Sequence, residues 1–71
     1  MAGEAQDDTR DLVNQLFATA TAMLEDASDI AVAGQSSRQS LAELMELADQ
    51  LNVEAEKIAT IARAARVIAA G

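Results

Sequence analysis

The sequence has no cysteine, proline, histidine, tryptophan or tyrosine, and Phe17 is its one aromatic residue. Without cysteine there is no disulfide and no thiolate metal site, and nothing in the chain reports a redox compartment. Without histidine or cysteine, a serine or threonine lacks the usual base that would activate it. Ser36, Ser37 and Ser40 therefore read as turn and cap residues. Basic residues are also scarce, five against twelve acidic ones, for a net charge of -7. Nucleic-acid binding needs clustered Lys and Arg to displace counterions, so that partner class is not expected. No apolar run reaches the length of a membrane span. The acidic opening from Met1 to Asp11 has no apolar stretch of the signal-peptide kind. A cytoplasmic protein, with membrane association unlikely, is the resulting expectation.

What remains is rich in Ala, Leu, Glu and Gln. These residues keep their rotamer freedom in a helix or have none to lose, so they favour it intrinsically. Val13, Leu16, Ala20, Met23, Ala27 and Ile30 recur at steps of three and four. Leu41, Leu44, Ala48, Leu51, Ala55, Ile58, Ala62, Ala65 and Ala69 do the same. Sustained 3–4 spacing is the seam of a coiled coil or helical bundle. With Val13 as heptad position a and Leu16 as d, the expected core seam is Val13, Leu16, Met23, Ile30, Leu41, Leu44, Leu51 and Ile58.

Between the two runs stands Gly34-Gln35-Ser36-Ser37. Gly34 can end a helix in the left-handed conformation. Ser36 with Gln39, and Ser40 with Glu43, both have capping-box spacing. The prediction is all-α: one domain over 1–71, an antiparallel hairpin with helices at about 8–33 and 37–70, and a disordered tail over 1–6. The heptad phase runs through the break without slipping, so one continuous coiled-coil helix of roughly 90 Å is the alternative.

Two features favour the hairpin. Folding at Gln35–Ser36 sets Val13 on Ile58, Leu16 on Ala55, Ala20 on Leu51, Met23 on Ala48, Ala27 on Leu44 and Ile30 on Leu41. Most of these layers put a small residue on a large one, as interdigitating helices require. The same fold brings Glu4, Asp7, Asp8 and Asp11 toward Lys57, Arg63 and Arg66. The apolar stripe also widens, at position e in the first helix (Phe17, Leu24) and at g in the second (Leu47, Ile61, Ile68). A stripe wider than a and d suits a helix with two neighbours. Phe17, Leu24, Leu47, Ile61 and Ile68 are accordingly the predicted interface, which a second hairpin would cover to give a homodimeric four-helix bundle.

The segment from Ile30 to Leu41, with Leu44, Ala48-Asp49-Gln50-Leu51 and Ile58, resembles the cytoplasmic helices of bacterial methyl-accepting chemotaxis receptors. It has their Ala-rich heptads and their Ser and Gln beside the seam. It has no counterpart of the receptor tip or of a clean methylation site. The resemblance implies a bacterial, receptor-like signalling coil without its output end. The seam, with small residues at a and large ones at d, is also similar to the repressor-of-primer hairpins. Their RNA-binding face is basic, so that function is not implied here.

Carboxylate pairs at Glu43 and Glu46, and at Glu25 and Asp29, could hold a cation or move protons in principle. Lacking any Glu-x-x-His partner, they read as a solvated face, and no metal or cofactor is expected. Glu54 falls at g, on the apolar flank, as a partner-specifying or snorkelling charge. Lys57 to Ala70 carries positive charge and no acid, which suits the negative end of a helix dipole. The functional expectation is a non-enzymatic protein–protein interaction module, a small adaptor or regulator acting as a homo-oligomer. The alternatives are a small chaperone or regulator of a different helical protein, and the chemoreceptor-like coil.

Overall fold

In a computed structural model, which describes the backbone of residues 2–71 and the side chains of 7–71, the chain is an antiparallel helical hairpin. Helix α1 spans Ala2–Ala33 and helix α2 spans Leu41–Ala70. The long-helix alternative is thereby set aside. Helix α1 starts earlier than the sequence reading placed it, and residues 2–6 continue the helix instead of forming a tail. Ala2, Glu4, Ala5 and Gln6 are helix formers, and only Gly3 opposes them.

The connection is longer than expected, because α2 begins at Leu41 and not near residue 37. Ser40 wins the competition between the two capping boxes. Its Oγ accepts from the Glu43 N–H at 3.1 Å, while its own N–H donates to Glu43 Oε1 at 3.4 Å. Both orphan donors at the helix start are thus satisfied reciprocally. Ser36 serves the turn instead: Arg38 N–H donates to its Oγ at 3.3 Å, and Gln39 N–H to its carbonyl at 3.4 Å. The Gln39 side-chain amide reaches back to the Ala33 carbonyl at 3.5 Å and so helps close the end of α1. Ser40→Ala should remove the reciprocal cap and cost about 1 kcal/mol. The loss would show as a lower urea midpoint with an unchanged slope.

Gly34 does not take the left-handed conformation foreseen for it. Gly71 is the described residue with positive φ, at 85°. Helix α1 instead tightens at its end, where Gln35 N–H donates to the Val32 carbonyl at 3.0 Å and Ser36 N–H to that of Ala33 at 3.2 Å. These three-residue steps are of the 3₁₀ kind, and they turn the chain without a positive φ.

In α1 the half-covered positions are Thr9, Val13, Leu16, Ala20, Met23, Ala27, Ile30 and Ala33. The seam of α2 needs correction. Its covered positions are Leu44, Leu47, Glu54, Ile58, Ala59, Ile61, Ala64, Ala65 and Ile68, which apart from Ala59 and Ala64 belong to columns d and g. Column a lies open: Leu41 is 85% exposed, and Ala48, Ala55, Ala62 and Ala69 are exposed with it. Leu51, at d, stands on the margin at 36%. The reason is bulk. Column g offers Leu47, Ile61 and Ile68, whereas column a offers one leucine and then alanines. Turning g inward removes more apolar surface from water.

The register shifts for the same structural reason. The turn over 34–40, in place of a fold at Gln35–Ser36, moves the partner of each α1 residue toward the C-terminal end of α2. The pairings expected from a fold at Gln35–Ser36 are replaced. An open groove lined by Met23, Val53, Glu56, Lys57, Thr60 and Ile61 fits the new register. In the old one Met23 would face Ala48, at least five residues short of this groove. The ion pair among the described residues lies within α2, from Lys57 Nζ to Glu54 Oε1 at 3.3 Å. No described acid of α1 pairs with Lys57, Arg63 or Arg66.

Candidate functional site: the open apolar face

Two helices alone enclose very little. Ala65 is the buried residue among those described, and no large side chain is fully covered. The hairpin measures 58 × 15 × 9 Å, with a radius of gyration of 16.7 Å. A compact domain of this length would have a radius near 11 Å. The surface tells the same story. A compact folded chain of 7.4 kDa exposes about 4,200 Å² by the usual scaling, whereas this one exposes 5569 Å².

Heptad geometry places that open surface. Helix α1 turns a and d inward, so e and g form its two edges. Helix α2 runs the other way and turns d and g inward, so a and c form its edges. In an antiparallel pair, column e of α1 then shares one side with column a of α2. Column g of α1 shares the opposite side with column c of α2. The groove containing Met23, Lys57 and Ile61 belongs to the second side; Met23, Val53 and Ile61 make its surface mostly apolar, and Glu56 and Lys57 add charge to its lining.

The first side is apolar. Phe17 is 62% exposed and Leu24 55% exposed on α1, beside Leu41, Ala48, Ala55 and Ala62 of α2. Of the five residues expected to form an interface, Phe17 and Leu24 lie here. Leu47, Ile61 and Ile68 do not, because the hairpin itself uses them against α1. The alanine column takes their place on the surface. Sequence reasoning assigned that column to the seam because it is apolar, without weighing how little area an alanine contributes.

Polar chemistry elsewhere is sparse. The hydroxyls of Thr19, Thr21 and Thr60 bond back to carbonyls four residues earlier, of Gln15, Phe17 and Glu56. Glu43, part of one carboxylate pair, is engaged in the α2 cap. Among the described residues, no three acidic side chains gather where they could hold a metal ion. Among the described residues no helix is long and apolar enough to cross a membrane. The chain matches no protein-family model and shows no significant similarity to curated proteins or to solved structures.

Proposed function

We propose that this chain is a non-enzymatic helical interaction module that works as a homo-oligomer. The observation that carries this reading is the hairpin's lack of an enclosed core, with Ala65 its buried residue among those described. A domain of this size gains little from its own core and reaches useful stability by covering apolar surface with another chain. The net charge of -7 speaks against a nucleic-acid partner. The likeness to chemoreceptor helices fits a signalling coil only in its heptads, since the turn over 34–40 is closed by local hydrogen bonds of its own.

Light scattering after gel filtration tests the proposal directly. The expected mass is a multiple of the 7.4 kDa chain at tens of micromolar. A monomeric mass with full helicity by circular dichroism would rule out self-association. A monomer that gains helix only with a second protein would make the chain a partner of a different helical protein.

A further inference from the structure

We infer that the side of the hairpin formed by Phe17 and Leu24 of α1 and by Leu41, Ala48, Ala55 and Ala62 of α2 is the docking surface for one second copy of this chain. The inference rests on the homo-oligomer reading above and adds which face is used and where association stops. Three observations carry it.

The first is the distribution of acid. The chain has twelve Asp and Glu, and every one falls at heptad positions b, c, f or g. None occupies a, d or e anywhere between Arg10 and Ala69. In a chain this acidic, the hairpin seam alone explains the absence from a and d of α1 and from d of α2. It does not explain the absence from e of α1 or from a and e of α2, which face away from the seam. Residues kept free of carboxylates on an open surface mark a contact that would desolvate them.

The second is area. Each hairpin exposes roughly 1,300 Å² more than a compact chain of its mass. A standard protein interface takes about 800 Å² from each partner. One face-to-face contact is therefore within the surface available.

The third is shape. Large side chains on one helix stand beside a column of alanines on the other, so the face offers both projections and a flat strip where a backbone can approach closely. A face with both is self-complementary, as a two-fold contact requires. The opposite side carries Asp26, Glu43 and Lys57 around its groove, charges that a second contact there would have to desolvate, which favours closure at two copies. A lipid surface fits less well, because alanines bury little area in a bilayer and the chain's net charge repels anionic headgroups.

Two exposed alanines make the test. Ala55 lies on the proposed face and Ala18 on the outer side of α1, and both are exposed on the lone hairpin. The chain has no cysteine, so Ala55→Cys and Ala18→Cys each introduce a single thiol at little cost in shape. Maleimide labelling of Ala55→Cys should slow at least tenfold as the protein is concentrated through its association range, while Ala18→Cys keeps one rate throughout. Ala55→Glu should reduce the scattering mass to that of one chain, and Ala18→Glu should leave it dimeric. Equal labelling of the two thiols in a chain that is nonetheless dimeric would overturn the choice of face and leave self-association standing. A monomeric parent chain would overturn both. A mass of three or more chains would overturn closure at two. Protection of Ala55→Cys only upon adding phosphatidylglycerol vesicles would replace the second copy with a membrane.

Discussion

Ile61→Ala should destabilise the hairpin by about 2–3 kcal/mol, whereas Val53→Ala should change it by less than about 0.5 kcal/mol. Ile61 is half-covered and lines the groove beside Met23. Truncating it removes three carbons from the covered stripe of α2. Val53 stands half exposed at position f, on the open rim of the groove that holds Ile61. Its replacement forfeits little contact and gains helix propensity, because a β-branched side chain loses rotamer freedom in a helix. Urea titrations at one fixed protein concentration would make the comparison, since association would otherwise shift the midpoint. For a chain of 71 residues the Ile61 loss is a large share of the total stability, which is of the order of several kcal/mol. Equal effects at the two sites would mean that column g of α2 does not face α1. The corrected phase of that helix would then fail.

Glu54→Leu should raise the melting temperature by about 5–10 °C. Glu54 sits in the covered stripe of α2, and its side chain is only 17% exposed. Its carboxylate is held by Lys57, whose own side chain is 56% exposed, so the ion pair is largely solvated. Such a pair contributes at most about 1 kcal/mol. A leucine at the same place continues the run of Leu47, Leu51, Ile58 and Ile61 and buries apolar surface against α1, for a net gain of about 1–2 kcal/mol. Glu54→Gln separates shape from charge and should move the transition far less. A fall in melting temperature for the leucine variant would show that Glu54 supplies more than a solvated ion pair. It would then be a charge that selects register or partner, as buried polar residues in coiled coils do.

The sequence by itself determined the class of the protein and the inner face of α1. Helix propensity and 3–4 spacing are local properties, readable wherever Gly and Pro do not interrupt them. In α1 the a and d columns hold Val13, Leu16, Met23 and Ile30 in one unbroken stripe, whereas Leu12, Phe17, Leu24 and Val32 are spread over three other columns, so the a and d face turns inward. It also determined a break after Ala33, through Gly34 and the serines that follow, and it contained the capping box of Ser40 and Glu43. Only the tertiary structure decided how α2 is rotated and where it pairs. Columns a, d and g of that helix are apolar apart from Glu54 at g, so its stripe is wide enough for either pair of adjacent columns to meet α1. The choice falls to the columns that bury more area once a neighbour is present, and that neighbour is not written in α2. The register was likewise open until Ser40 outcompeted Ser36 as the cap and fixed the connection at 34–40. A shift of a few residues there moved every layer, and it left outside the alanine column that the spacing alone had placed in the core.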